Sequence, residues 1–259
     1  MNIFGRAGVD KKLFLILLVV SILGNIAVLP YVSSLFLSSK EQLPVPSLII
    51  MLAQITQAII MFSVAIFIGL FLGKKVGLGA PLIEDWLHGE SIKNRLKPIL
   101  RTSLVLGILI GISVFVLDRF AFSFFVEPVT ASQAEPPLWQ RFLASFYGGI
   151  NEEIFMRLFL VSLLVWISCK IRSTKEGIPT STGVWLSIIL VSVLFGLGHL
   201  PMTAQFMEIT PVVVIRAIIL NGIAGIVFGW LYWKKGLGAA VISHFFTDIV
   251  LHVILPSLY

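Results

Sequence analysis

Charged residues and cysteines are scarce in this chain of 259 residues. Only 12% of its residues are charged, 58% are hydrophobic, and the mean hydropathy is +1.01. A typical soluble domain has about 25% charged residues. The composition therefore excludes an ordinary soluble globular protein and predicts an integral membrane protein. The single cysteine, Cys169, excludes an internal disulfide and a cysteine-based zinc site.

Sequence patterns of several other protein classes are also missing. No HExxH stretch occurs, so the common zinc-protease motif is absent. No internal repeat is visible, which disfavours a transporter built from inverted repeats. The net charge of +6 is compatible with nucleic-acid binding, but the cations stand in short stretches between apolar runs. We therefore expect no nucleic-acid partner.

Seven apolar runs are long enough to cross the hydrocarbon core of a bilayer as helices. We predict an all-α polytopic membrane helix bundle from them. Residues 80–97 mix apolar and charged positions at roughly helical spacing, which predicts an additional interfacial helix. The approximate limits of the seven runs are 13–37, 48–73, 99–126, 140–169, 182–200, 210–233 and 237–256.

Positive residues between the spans predict the orientation, because cytoplasmic loops carry more Lys and Arg than exterior ones. The N-terminal tail and the second, fourth and sixth loops hold fourteen cations, whereas the other loops hold Lys40, Arg119 and Arg141. We predict a multi-pass protein of the cell membrane with a cytoplasmic N-terminus and an outer loop at 127–137. The fourteen cations are Arg6, Lys11, Lys12, Lys74, Lys75, Lys93, Arg95, Lys97, Arg101, Lys170, Arg172, Lys175, Lys234 and Lys235.

A few ionisable residues stand out within the predicted spans, most of them in the C-terminal half. Such groups are costly in a bilayer and are functional by default. Glu153 and Arg157 are four residues apart, share one helix face, and are expected to form an ion pair. Glu152 is rotated about 100° from Glu153 and points elsewhere. The ionisable residues are Glu152, Glu153, Arg157, His199, Arg216, His244, Asp248 and His252.

A purely structural interpretation of the stretch NEEIFMR is a buried salt bridge that locks helices together. One arginine neutralises one glutamate, however, so the second glutamate stays unexplained. A carboxylate in such a place is suited to act as a general base. We therefore favour a functional site over a structural one.

Two later spans contribute histidines at helical spacing. Phe195 and His199 share a face of the fifth span, and His244 and Asp248 share a face of the seventh. A single histidine in a membrane helix often serves only as a hydrogen-bonded contact between helices. Asp248 has a simple structural interpretation as well, as the group that orients His244. Two histidines on different helices together with the carboxylate pair on a third predict one buried polar site.

Two chemistries use such a set of side chains. In the first, a carboxylate and a histidine activate water for attack on a carbonyl, while other polar groups stabilise the oxyanion. In the second, His199, His244 and a carboxylate bind zinc, which activates its own water. Local chemistry leaves both open, although the missing HExxH stretch weighs against the second.

Three motifs together resemble the CAAX protease and bacteriocin-processing (Abi) family of intramembrane glutamic endopeptidases, in particular the type II CAAX prenyl endopeptidases. The family pattern is EExxxR, then FxxxH, then HxxxN or HxxxD on successive membrane helices. Here the motifs are Glu152 to Arg157, Phe195 to His199, and His244 to Asp248. The resemblance divides the chain into N-terminal helices with the interfacial segment (1–137) and a catalytic membrane core (138–259).

The resemblance implies a role for each polar motif residue. The glutamate-dependent mechanism that it implies needs neither cofactor nor metal. Glu152 would be the general base, assisted by His199, and Glu153 with Arg157 would organise the first motif. His244 and Asp248 would form the oxyanion-stabilising pair. Because a carboxylate donates no hydrogen bond unless protonated, His244 is the better donor here, and Asp248 is expected to position it.

The resemblance implies an intramembrane endopeptidase acting on a prenylated, secreted-precursor or membrane-associated peptide, with the lipid bilayer as its surroundings. A non-catalytic immunity or regulatory protein of the same family is the alternative. A proton-coupled carrier would also place Glu, His and Asp in the membrane. Intact motifs favour the enzyme, because a scaffold has no need of Glu152 and both histidines.

Overall fold

In the part of the chain that the structure describes, seven long helices make up the bundle. The computed structural model describes residues 8–37, 47–125 and 136–258, and no β-strand occurs within these ranges. The predicted all-α membrane bundle is confirmed, since each long helix is apolar enough to span a bilayer. Together with one short helix, they are α1 (Lys11–Leu37), α2 (Ser47–Val76), α3 (Pro81–Leu87), α4 (Lys93–Phe122), α5 (Leu138–Ile171), α6 (Ser181–Thr203), α7 (Pro211–Lys235) and α8 (Leu237–Leu258).

The helices begin and end where local chemistry predicts. Thr180 and Thr210 cap α6 and α7, and each side-chain oxygen accepts a hydrogen bond from a backbone N–H three residues later. Gly236 adopts φ +86°, a conformation that favours glycine, and it alone separates α7 from α8. The last two spans therefore form a tight antiparallel pair.

The interfacial helix predicted over 80–97 is interrupted in the structure. Helix α3 covers seven residues, and a turn containing Gly89 at φ +77° separates it from α4. Residues from Lys93 onward belong to α4 itself, because the helix of the third span continues into its charged flank. Most of the predicted outer loop 127–137 lies outside the described residues.

The helices of both predicted segments share one apolar core. Leu13 of α1, Phe62 of α2, Leu158 of α5, Ile188 of α6 and Phe228 of α7 are all buried in it. Large apolar side chains on the outer helix faces are exposed, as expected for surfaces in contact with lipid. Helices α1, α2 and α4 therefore form part of the wall around the C-terminal motifs.

One polar contact fixes α1 against α5 next to the glutamate pair. The fully buried Asn151 donates from Nδ2 to the carbonyl oxygen of Ser21 at 2.8 Å. A Cβ atom at Gly24 would lie 2.0 Å from Asn151 Oδ1. The missing side chain at position 24 thus lets α1 approach the part of α5 that holds Glu152.

Candidate functional site

Helix α5 is irregular where it holds the two glutamates. The segments Tyr147–Glu152 and Ile154–Val161 are π-helical, and Glu153 stands between them. The wider i→i+5 hydrogen bonding of π-helix changes the direction of each side chain relative to a regular helix and is frequent at functional sites. This part of α5 packs against α1, α2 and α8.

The predicted ion pair between Glu153 and Arg157 is present. Arg157 Nε lies 3.2 Å from Glu153 Oε2, and the two side chains are 1% and 0% exposed. The contact lacks hydrogen-bond geometry, and none of the three guanidinium nitrogens has a hydrogen-bond partner among the residues that the structure describes. The rings of Phe195 and Phe228, 5.2 and 5.7 Å from Arg157 Cζ, give it additional cation–π stabilisation.

Glu153 also contacts the last helix. Its Oε1 atom lies 2.8 Å from His244 Nδ1. Because a carboxylate only accepts hydrogen bonds, Nδ1 carries the proton and donates a hydrogen bond to Glu153. One carboxylate therefore connects Arg157 to His244 and fixes the orientation of the imidazole ring. Glu153 makes the hydrogen bond at Nδ1, whereas Asp248 lies near Nε2, the other nitrogen of the same ring.

The other ring nitrogen of His244 faces two further carboxylates. Its Nε2 atom lies 3.7 Å from Glu152 Oε2 and 3.6 Å from Asp248 Oδ1. The Glu152 side chain is 25% exposed, unlike the fully buried Glu153. The two adjacent glutamates thus differ as expected, because one is tied to Arg157 and the other remains accessible.

Aromatic rings hold the two histidines at fixed positions. Phe228 stacks on His244 with ring centroids 4.6 Å apart, and Phe195 meets the same ring edge-on at 5.7 Å. Phe195 also contacts the His199 ring at 4.8 Å. His199 Nδ1 lies 2.7 Å from the carbonyl oxygen of Phe195 and donates to it, which leaves Nε2 unprotonated in the neutral ring.

These side chains surround a cavity of about 930 Å³ within the bundle. Glu152, His199, His244 and Asp248 line it, whereas Glu153 and Arg157 lie behind its wall. The volume is near the upper end of the roughly 300–1,000 Å³ typical of ligand pockets. Most of the wall is apolar, and all seven long helices contribute to it. Four of the six predicted site residues therefore share one space.

Several cavity residues were not among the predicted site residues. Arg216 of α7 donates two hydrogen bonds to Asp118, at 2.6 and 2.7 Å, and both side chains line the cavity. Asp118 is also absent from the ionisable residues that the sequence analysis places within the spans. No motif includes it, and only the packing of α4 against α7 brings its carboxylate to Arg216.

Gly148 of α5 is a second feature without a sequence signal. A Cβ atom there would lie 2.1 Å from Asp248 Oδ2 and 3.3 Å from His244 Nε2. The missing side chain thus creates the space that the Asp248 carboxylate occupies beside His244. A glycine has no chemistry of its own, so its spacing from the motifs gave no reason to select it.

The zinc alternative needs three donors that converge on one point. Among the described residues, no three His, Cys, Asp or Glu side chains are grouped so that they could hold a metal ion. The neighbours of His244 Nε2 are two carboxylates that belong to different helices, α5 and α8.

Comparison with known families identifies the segment that carries these motifs. Residues 134–250 match the model of the type II CAAX prenyl endopeptidases of the Rce1-like kind. This segment belongs to the Rce1-like family. The Rce1-like segment contains all six predicted site residues and extends from the start of α5 into α8. Neither the curated proteins nor the solved structures gave a significant match.

The family match of residues 134–250 and the helix bundle together establish a coarse description. The protein is a multi-pass membrane protein, and the segment that holds its polar motifs matches the Rce1-like type II CAAX prenyl endopeptidases. Helices α1 to α4 lie before the Rce1-like segment, yet α1, α2 and α4 line the same cavity. The cavity is therefore completed by helices that the family match does not cover.

Proposed function

We propose that the protein is an intramembrane endopeptidase in which Glu152 activates the attacking water. The observation that carries this proposal is the contrast between the two glutamates. Glu153 forms an ion pair with Arg157 and accepts a hydrogen bond from His244. Glu152 lies at the cavity wall, with Oε2 3.7 Å from His244 Nε2. An accessible carboxylate beside an imidazole in a low-dielectric cavity is a suitable general base.

The reaction follows from these positions. Glu152 takes a proton from water, and the water oxygen adds to the peptide carbonyl carbon. The carbon–nitrogen bond then breaks, and the proton passes from Glu152 to the leaving amine. His199 presents an unprotonated Nε2 to the same cavity and assists in holding the water. No covalent bond to the protein is formed.

His244 is the proposed oxyanion donor. With Nδ1–H held by Glu153, a second proton on Nε2 faces the cavity and donates to the developing negative charge. Glu152 and Asp248, at 3.7 and 3.6 Å, stabilise that proton electrostatically. Asp248 acts in this scheme as a positioning residue. Its carboxylate accepts hydrogen bonds and donates none while ionised.

The cavity favours a peptide that is already associated with the bilayer. Its walls are mainly apolar, with a few polar side chains such as Asn25, Gln54 and Asn221. Apolar walls suit a hydrophobic segment, and polar groups along them can bind backbone amides. The proposed substrates are prenylated, secreted-precursor or other membrane-associated peptides.

Purified protein tests the proposed activity directly. The full chain in lipid vesicles is incubated with a mixture of hydrophobic peptides, and products are identified by mass spectrometry. We expect internal cleavage by the wild type and the same peptides intact with Glu152→Gln. Products that form equally with both proteins would rule out the assignment. A complete lack of products with the wild type would favour the non-catalytic alternative.

Metal chelation separates the glutamate mechanism from the zinc mechanism. We expect EDTA or phenanthroline to leave the cleavage rate unchanged, because Glu152 and His199 activate water without a Lewis acid in the proposed reaction. The measurement is the initial rate before and after chelation and after added zinc. Activity that is lost on chelation and restored by zinc would contradict the proposal.

Gly148→Ala tests the role given to Asp248. The added methyl group would displace the Asp248 carboxylate from His244, because its Cβ would lie 2.1 Å from Oδ2. We expect a clear fall in cleavage rate with a stability loss of at most about 1–3 kcal/mol. Thermal denaturation in detergent measures the second quantity.

The matched control for that variant is Gly222→Ala on α7. The nearest atom to its added Cβ would be Ser192 O at 3.9 Å, and residue 222 does not line the cavity. Alanine is favoured over glycine in helices by about 1 kcal/mol, so this variant should be as stable as the wild type or more stable. Equal activity of the two variants would contradict the positioning role.

A further inference from the structure

A tryptophan near one end of the bundle has lysines from two different helices beside it. Lys75 Nζ lies 6.0 Å from the centre of the Trp166 ring, and Lys170 Nζ lies 5.8 Å from the same centre. Lys75 belongs to the last turn of α2 and Lys170 to the last turn of α5, and both lysines are exposed. Two positive charges therefore stand beside one indole ring where α2 meets α5. We call Lys75, Trp166 and Lys170 the Trp166 site.

The two lysines have no acidic partner in the part of the chain that the structure describes. No carboxylate oxygen there lies within 4.0 Å of either ammonium group. Carboxylates that follow α2 in the chain make other contacts. Asp85 pairs with Arg95, and Glu84 accepts a hydrogen bond from the backbone N–H of Ala80. The Trp166 site therefore holds two like charges without a counter-charge from these residues.

Helix dipoles explain the two lysines only in part. The carbonyl end of a helix carries about half a negative elementary charge, so two helix ends offset about half of the charge of two lysines. The dipoles also give no reason for side chains of two helices to meet at one ring. Lys234 shows the simpler arrangement, because it lies 3.5 Å over Trp233 and is the one described cation on that ring.

An apolar face of α2 leads up to the Trp166 site. The rings of Phe67 and Phe71 are parallel within 2°, with centroids 6.2 Å apart, and Lys75 Nζ lies 3.9 Å over the Phe71 ring. One turn earlier on the same face, Val64 is 52% exposed. Phe67 and Lys75 are separated by about 12 Å of helix, which is less than the ~15 Å half-thickness of the hydrocarbon core. The cations and the apolar face therefore match the headgroup and the acyl chains of one leaflet.

We propose that the Trp166 site binds the headgroup of an anionic phospholipid. The phosphate lies between the two ammonium groups and accepts hydrogen bonds from both, and an acyl chain lies along Phe67 and Phe71. Lysine binds phosphate as a point charge, and tryptophan is enriched at the headgroup level of membranes. The lipid supplies the missing counter-charge and joins α2 to α5.

This lipid has no part in the proposed reaction. Trp166 is fourteen residues beyond Glu152 on α5 and does not line the cavity. The inference is therefore independent of the proposed function. Its expected effect is on stability, because a ligand that binds only the folded protein shifts the folding equilibrium towards that state.

Lipid binding to the purified full chain tests the proposal. The protein in neutral detergent is supplied with phosphatidylglycerol or with phosphatidylcholine that carries the same acyl chains. Native mass spectrometry measures the bound lipid, and thermal denaturation measures Tm. We expect one phosphatidylglycerol to stay bound under conditions that remove phosphatidylcholine, and a Tm several degrees higher with phosphatidylglycerol. Equal binding of the two lipids by the wild type would overturn the proposal.

Lys75→Gln together with Lys170→Gln removes both charges from the site. We expect phosphatidylglycerol to bind about 30-fold more weakly, equivalent to about 2 kcal/mol, as is typical for two lysines beside an anionic headgroup. The Tm difference between the two lipids should disappear. Lys75→Arg together with Lys170→Arg keeps both charges and should keep the binding and the Tm difference. Wild-type binding by the glutamine variant would contradict the site.

The matched control is Lys234→Gln, which removes an exposed lysine from a tryptophan at the same end of the bundle. The two places are close, since the backbone N–H of Leu237 donates to Gly79 O, just after α2, at 3.0 Å. This variant should bind phosphatidylglycerol as the wild type does. An equal loss of binding would show attraction by the overall charge of this end and would overturn the proposal.

Inorganic phosphate separates a lipid site from a site for free phosphate. It presents the same anionic oxygens but has no acyl chain to lie along Phe67 and Phe71. We expect it to leave the Tm of the wild type unchanged at concentrations at which phosphatidylglycerol raises it. An equal rise with inorganic phosphate would contradict the assignment to a lipid.

Discussion

Glu152→Gln is expected to abolish peptide cleavage while the protein still folds and inserts. The amide is nearly isosteric with the carboxylate but takes no proton from water. General base catalysis contributes about 10²–10⁴-fold to a rate, and a loss in that range is expected. Initial rates of the purified protein in vesicles measure it, and thermal denaturation checks the fold.

The matched control is Glu90→Gln, which makes the same chemical change at an exposed position in the turn between α3 and α4. It should cleave at the wild-type rate. Near-complete activity of Glu152→Gln would contradict the assignment of Glu152 as the general base. Loss of folding in that variant would conflict with the 25% exposure of the side chain.

Arg157→Ala is expected to destabilise the bundle strongly. Its removal leaves the fully buried Glu153 carboxylate with only the His244 hydrogen bond. Removing one partner of a buried pair costs about 3–5 kcal/mol. Expression level and thermal denaturation in detergent should both fall, whereas Glu152→Gln should leave both unchanged. Wild-type stability of Arg157→Ala would contradict the ion pair.

A double variant distinguishes the charge from the packing. Glu153→Gln with Arg157→Met removes both charges and keeps most of the side-chain volume, which is often tolerated at buried ion pairs. It should be more stable than Arg157→Ala, but less active than the wild type. The amide oxygen still accepts from His244 Nδ1–H, whereas the negative charge that favours the doubly protonated ring is lost. A double variant as unstable as Arg157→Ala would show that the guanidinium acts through packing on Phe195 and Phe228 alone.

Local spacing was sufficient to predict some of these features. Glu153 and Arg157 were paired from their separation of four residues, because that contact lies within one helix. The seven spans followed from apolar length, and the observed limits differ from the predicted ones by a few residues. The functional roles of the six motif residues stay predictions.

Contacts between distant helices could not be read from the chain. His244 and Glu153 are 91 residues apart, and Asp118 and Arg216 are 98 apart, so only the packed bundle joins them. The π-helical geometry of α5 also changes side-chain directions from the 100° steps assumed for a regular helix. Gly148 acts through the side chain it lacks, which no motif records.

The origin of the oxygen in the product tests most directly whether Glu152 activates water. A single turnover of a cleaved peptide is run in ¹⁸O-labelled water, and both product and protein are analysed by mass spectrometry. We expect one ¹⁸O atom in the new C-terminal carboxylate of the product and none in Glu152. An unlabelled product with ¹⁸O in the Glu152 carboxylate would show that this side chain attacks the peptide itself, and would contradict the account.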